Sequence, residues 1–232
     1  MAQIAQPLTE PLEPTGRAAD LSFVWRRLHS LTGIVPVGFF LLFHTFENMT
    51  ALRGEAAYNS AIAKLAEMLP TPWFYLVEVG VILLPLLFHG LYGVFLAFEG
   101  SPNPGAYVYR RNYLYLLQRV TGVLVLAFVV YHVITLRVHL TMRGLGAGVP
   151  GHEGYVAFAD LVQAMASPGV LALYVVGIVS AGFHFGNGLS GFLWTWGVAV
   201  GERSRRGFEL LGWALSLAVA LPMLAILWKF RA

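Results

Sequence analysis

The chain has 232 residues, 57% of them hydrophobic and 12% charged, with a formal net charge of +3. Soluble domains carry about 25% charged residues, so this composition excludes a water-soluble globular fold, and a charge this small and scattered excludes nucleic acid as the partner. The absence of cysteine excludes disulfides, iron–sulfur clusters held by this chain's own thiolates and thioether-attached haem.

Residues 1–22 are expected to form a flexible tail, because the first twenty carry three prolines, Glu10, Glu13 and Asp20 without an apolar run. Residues 23–232 are expected to form one all-α transmembrane domain. Crossing a hydrocarbon core takes roughly 20 helical residues, and apolar runs of that order lie at 28–46, 73–98, 113–136, 169–194 and 208–228. Between them, Glu55–Leu69 and Tyr155–Ala166 have apolar residues at three- and four-residue spacing, the pattern of short interfacial helices. Ser101-Pro102-Asn103-Pro104-Gly105 is a turn. Nine of the fifteen Lys and Arg residues, from Arg17 through Arg206, fall on one side of this five-span topology. The positive-inside rule makes that side cytoplasmic, with the amino terminus inside and the carboxyl terminus outside.

An internal repeat runs through the first four spans. Leu31-Thr32-Gly33 followed by His44 resembles Val120-Thr121-Gly122 followed by His132, and Phe88-His89 with Gly93 matches Phe183-His184 with Gly188. The chain therefore divides into two helix pairs and a fifth helix. His44 and His132 precede the charged ends of spans one and three by three and five residues, which at 1.5 Å per residue places both about 5–8 Å inside one boundary. His89 and His184 each lie ten residues before the other boundary, about 15 Å deep. A single histidine in a span commonly serves a hydroxyl or carbonyl. Four of them at two matched depths, each pair on two different helices, fit axial ligation of two haem irons, a bis-histidine arrangement suited to electron transfer.

These residues also carry a family resemblance. Arg27-Leu28-His29-Ser30-Leu31-Thr32-Gly33, Leu117-Gln118-Arg119-Val120-Thr121-Gly122, Leu86-Leu87-Phe88-His89-Gly90-Leu91-Tyr92-Gly93 and Phe183-His184-Phe185-Gly186-Asn187-Gly188, in that company of histidines, resemble the cytochrome b558 subunits of five-helix, dihaem succinate:menaquinone oxidoreductases. The resemblance implies an anchor in a prokaryotic cell membrane for a flavoprotein subunit carrying FAD and an iron–sulfur subunit. It also implies a proximal haem b on His89 and His184, a distal haem b on His44 and His132, and menaquinone as electron acceptor. His29 and Ser30 would meet the proximal haem propionates, and Arg119, at the same level, is a further partner for them. In menaquinol:fumarate reductases of this architecture a proton-carrying glutamate stands two residues before the second proximal ligand. Here that position is Gly182, which favours succinate oxidation.

Glu78, six residues into the second span, is read as the one carboxylate well inside a span and as a proton-transfer group at an outer quinone site. Two other readings stand beside the succinate-oxidising one: the dihaem anchor of a different oxidoreductase, and a haem-free membrane scaffold whose histidines only pack.

Overall fold

A computed structural model describes residues 16–68, 71–100, 105–106, 108–138 and 156–231. The first fifteen residues of the expected tail and most of the Ser101–Gly105 turn lie outside the described residues. Every regular element described is helical: α1 (Gly16–Ile34), α2 (Pro36–Asn48), α3 (Glu55–Met68), α4 (Thr71–Tyr75), α5 (Leu84–Glu99), α6 (Arg110–His132), α7 (Phe158–Met165), α8 (Pro168–Thr195) and α9 (Glu202–Arg231). Among the described residues these give five apolar helical stretches long enough to cross a membrane: Leu21–Arg53, Pro72–Glu99, Arg110–Val138, Pro168–Thr195 and Glu202–Arg231.

Three of the expected spans contain irregularities. Pro36 has no amide to donate, so the first span breaks between α1 and α2, although Val35 N–H still reaches Leu31 C=O at 2.8 Å. The second span passes through a π-helical segment, Leu76–Leu83, between α4 and α5. The third leaves α6 through another, Val133–Val138. Large side chains such as Phe39, Phe46, Phe98 and Trp228 are more than 70% exposed. In water that surface would aggregate; in a bilayer it faces lipid tails.

The first four spans form a ring in which α1 packs on α5, α5 on α6, α6 on α8 and α8 back on α1, and α9 lies along α8 and touches α2. The α8–α9 seam is made of small residues one helical turn apart, Gly182, Gly186 and Ser190 against Gly212, Ser216 and Ala220. Without side chains between them the two backbones come together, the packing that membrane helices use where lipid leaves no hydrophobic drive. Ser190 Oγ donates to Gly186 C=O at 3.2 Å and Phe208 C=O at 3.1 Å, and Ser216 Oγ to Gly212 C=O at 3.0 Å. A methyl at Gly186 would overlap the Gly212 carbonyl and the Ser216 hydroxyl. Gly186→Ala is therefore expected to destabilise the bundle by about 1–3 kcal/mol, read as a lower melting temperature of the detergent-solubilised protein.

One end of the bundle is closed by α3 and α7, the two expected interfacial helices. Phe158 N–H donates to Asn59 Oδ1 at 2.9 Å, tying α7 to α3, and Asp160 accepts the Ala157 N–H at 2.9 Å at the start of α7. Beneath this cap lies the tightest core, with Tyr58, Leu161, Met165, Tyr174, Ile226 and Phe230 all buried. Burial, with Glu47 and Asp160 nearby, raises the Tyr58 phenol and keeps it protonated. Gly54, at φ 103°, makes the reversal from the first span into α3.

Candidate functional site

The ring of four spans encloses a continuous cavity of about 1710 Å³ that reaches from His29 and Arg119 at the amino-terminal end to Glu47 and Tyr58 under the cap. Pockets for one small molecule are about 300–1,000 Å³, so this interior has room for more than one. All four histidines singled out from the sequence line it. The fold brings them together as two pairs: His89 and His184 with ring centroids 6.2 Å apart, and His44 and His132 with centroids 6.0 Å apart. The ring planes cross at 81° and 77°.

The first pair is held by a repeated local device. His89 packs on Gly33, and its Nδ1–H donates to the His29 carbonyl at 2.9 Å. His184 packs on Gly122, and its Nδ1–H donates to the Gln118 carbonyl at 3.1 Å. His29 and Gln118 each stand four residues before their glycine, so both imidazoles meet the backbone of the partner helix in the same register. The repeat seen in the sequence is thus a pair of imidazole cradles. Donation from Nδ1 fixes the tautomer and leaves the Nε2 lone pair free to serve as a ligand. Gln118 adds a second hold on the same helix, donating from Nε2 to His184 C=O at 3.0 Å while its Oε1 accepts from Asn187 at 2.7 Å.

The second pair is held by side chains. Nδ1 of His132 lies 3.1 Å from the Tyr174 hydroxyl, and Phe128 flanks its ring. His44 stacks on Phe40 at 5.3 Å, with Asn48 beside its ring and Glu47 Oε2 4.0 Å from its Nδ1.

At the amino-terminal end three buried nitrogens have no hydrogen-bond partner among the described residues: His29 Nδ1, Arg119 Nε and Trp194 Nε1. His29 is stacked on His89, with centroids 4.2 Å apart and planes 3° from parallel. The Arg119 guanidinium sits 3.9 Å over the Tyr115 ring. Leaving such donors unpaired is costly, and unpaired donors lining the same cavity as the paired imidazoles suit an anionic group. Ser30 differs, since its hydroxyl donates to Arg27 C=O at 2.9 Å and accepts from Trp196 Nε1 at 3.1 Å. Trp194 serves in the sequence only as a boundary marker, and its indole gives no signal there that it points inward.

Glu78 lines the cavity at the cap end, where Arg137 Nε and Nη2 donate to its two carboxylate oxygens. It is not the only carboxylate within a span: Glu47, in the first, has a side chain 14% exposed, and Glu209, in the fifth, is 15% exposed and paired with Arg110. The sequence reading misses both because each lies close to a span end. It also misses the Glu78–Arg137 contact, which joins residues 59 apart.

The donor set suits a porphyrin. Among the described residues no three His, Cys, Asp or Glu side chains converge as they would on a bare metal ion. Paired imidazoles supply only two ligands, and a porphyrin supplies the other four. With nitrogen–metal bonds of about 2 Å, two imidazoles on opposite faces of one ion have ring centres about 6 Å apart, close to both observed spacings.

Five apolar crossings around an interior cavity lined by paired imidazoles define a multi-pass helical membrane protein. The family described as succinate dehydrogenase/fumarate reductase transmembrane subunit matches residues 103–224, more than half of the chain. The succinate dehydrogenase cytochrome b558 subunit of Bacillus subtilis (strain 168) is 45% identical over 189 residues, covering 82% of this chain and 87% of that protein. The chain belongs to the succinate dehydrogenase/fumarate reductase transmembrane-subunit family and is a membrane subunit of such a complex.

Proposed function

We propose that this subunit carries electrons from the soluble subunits of a succinate dehydrogenase through two haem b groups to menaquinone. The observation that carries the reading is the presence of two imidazole pairs, at 6.2 and 6.0 Å, on two levels of one cavity. His89 and His184 would hold the proximal haem, and His44 and His132 the distal one. His29, Arg119 and Trp194 would meet the proximal propionates, with Ser30 joining them by rotating its hydroxyl. Held by two imidazoles, each haem would supply one-electron transfer.

The chain's own residues set the conditions for that chemistry. Helix carbonyls at 29 and 118 orient the proximal imidazoles, and Tyr174 orients His132. The buried donors of His29, Arg119 and Trp194 at the amino-terminal end would hydrogen-bond haem propionates, with Arg119 balancing their charge. Under the cap, Glu78 borders the cavity where a quinone reaching the distal level would take up protons. In orientation, the Arg-rich amino-terminal end faces the cytoplasm and docks the flavoprotein, with its FAD, and the iron–sulfur subunit; the α3–α7 cap faces outward.

Succinate oxidation is favoured over fumarate reduction by the packing at Gly182. A Cβ there would stand 2.8 Å from the Ser216 carbonyl oxygen and 3.2 Å from Ala220 Cβ, so the α8–α9 seam leaves no room for the glutamate of the fumarate-reducing pattern.

The test is succinate-driven reduction of the purified complex followed optically, then addition of a menaquinone analogue. Reduction of b-type haem by succinate and reoxidation by the quinone are expected, whereas a complex with no Soret band would return the chain to the scaffold reading. Tyr174→Phe leaves the His132 Nδ1–H without its acceptor. Loss of a ligand's hydrogen-bond partner costs about 10–100-fold in affinity or activity, and it makes the imidazole less basic. Redox titration is expected to show a raised distal midpoint with the proximal one unchanged.

A further inference from the structure

The Glu78–Arg137 pair is a charged feature of the cap-end cavity wall to which the haem assignments above give no part. Both partners line the cavity, and the contact is two-pronged, with Arg137 Nε on one carboxylate oxygen and Nη2 on the other, the latter at 2.9 Å. The Glu78 side chain is 18% exposed, and the guanidinium also lies 5.6 Å over the Phe74 ring. Such a fork fixes the plane of a carboxylate as well as its charge.

The backbone under each partner is unusual in the same way. Glu78 stands in the π-helical segment Leu76–Leu83 and Arg137 in the π-helical segment Val133–Val138. A π turn takes in one extra residue and so rotates the side chains beyond it by about 100°, and π turns collect at functional sites. An ion pair at membrane depth is a poor way to hold two helices together, because removing both charges from water costs more than apolar packing would. Two adapted helices that meet in a fixed carboxylate on a cavity wall point to a use for that carboxylate.

We propose that Arg137 is a positioning residue for quinone reduction: it holds Glu78 as a carboxylate in a single orientation on the cavity wall, ready to take a proton from water and pass it to a quinone oxygen. This rests on the reading of the cap end as the quinone site. Reduction of a quinone to a quinol takes two electrons, which succinate oxidation on the partner subunits provides, and two protons, which come from water. Glu78 relays a proton and, deprotonated again, is held in its place by the Arg137 fork.

The experiment uses the whole complex, with turnover expressed relative to its reduction of a soluble dye and with haem content measured in every preparation. Misplacing a proton-transfer group costs about 10²–10⁴-fold at most. Arg137→Gln, which leaves the carboxylate in place but unheld, is expected to lower kcat with a menaquinone analogue by about tenfold while KM changes little. Arg137→Lys, which keeps the charge without the fork, is expected to recover part of the loss. Glu78→Gln combined with Arg137→Gln is expected to be no worse than the poorer single variant. The exchanged pair, Glu78→Arg with Arg137→Glu, keeps an ion pair and guards against misassembly. It is expected to assemble and remain slow, because the carboxylate has moved to the other helix. Wild-type kcat in Arg137→Gln or in the exchanged pair, or losses in the two single variants that multiply in the double, would overturn the proposal. A photoreactive quinone analogue separates it from the reading beneath. Labelling within Leu76–Leu83 or Val133–Val138 supports a cap-end site, so that full turnover by Arg137→Gln then overturns only the role of Arg137. Labelling confined to the amino-terminal end overturns the site and the proposal together.

Discussion

His184→Leu is expected to remove one of two haems per chain and to abolish quinone reduction by the complex while the soluble subunits still oxidise succinate with a dye acceptor. Losing a mere hydrogen-bond partner of a ligand costs about 10–100-fold, so losing the ligand itself is expected to cost at least the upper end of that range. Leucine approximates the volume of the imidazole and keeps the α8 wall intact, which confines the effect to ligation. The same reasoning applies to His89, whose ring sits 6.2 Å away in the same pair. His29→Leu is expected to do less. Its ring stacks on His89 at 4.2 Å, but the contact that orients His89 is made by the backbone carbonyl of residue 29, which leucine retains. Pyridine haemochrome counts on the three variants check this ordering: one haem, one haem, and close to two with weakened retention of the proximal group.

Gly33→Leu is expected to be nearly as damaging as loss of a ligand, although residue 33 contributes no donor. Even a Cβ at that position would stand 2.5 Å from His89 Nδ1 and closer still to its Cε1, and a longer side chain would drive α5 away from α1. The equivalent change, Gly122→Leu, would set its Cβ 2.9 Å from His184 Cε1, tighter than real side chains tolerate but less severe. Overpacking costs about 1–3 kcal/mol where neighbours can shift. Here the neighbour is an imidazole whose placement is the function, so relief comes by displacing it. Haem content together with thermal unfolding distinguishes the outcomes. Loss of the proximal haem in both variants, greater for Gly33→Leu, is expected; normal haem content in Gly33→Leu would show that the cradle is not needed.

Much of this is legible in the sequence because a membrane leaves few options. Apolar runs long enough to cross have to be helices, and four histidines spaced at matched depths along alternating spans have to meet in pairs. What sequence cannot supply is anything decided by rotation about a helix axis. The repeat reads eleven residues from Gly33 to His44 but ten from Gly122 to His132, and the structure places the Pro36 break inside the longer interval. Glu78 can be seen as a carboxylate in a span, yet its pairing with Arg137 depends on two π segments that no local residue pattern announces. Arg137 itself falls, by position, on the loop side of the expected boundary. The glycines of α8 could serve a prosthetic group or a helix contact equally well. Gly182 and Gly186 turn out to face α9, whereas Gly122, on α6, faces an imidazole.

The most direct measurement is the haem stoichiometry of the purified complex, from dithionite-reduced minus oxidised spectra with extracted protoporphyrin quantified against this chain. Two b-type haems per chain are expected, falling to one when either member of either histidine pair is replaced by leucine. A single haem in the unaltered protein, or two that survive replacement of one of His44, His89, His132 or His184, would contradict the paired-imidazole assignment.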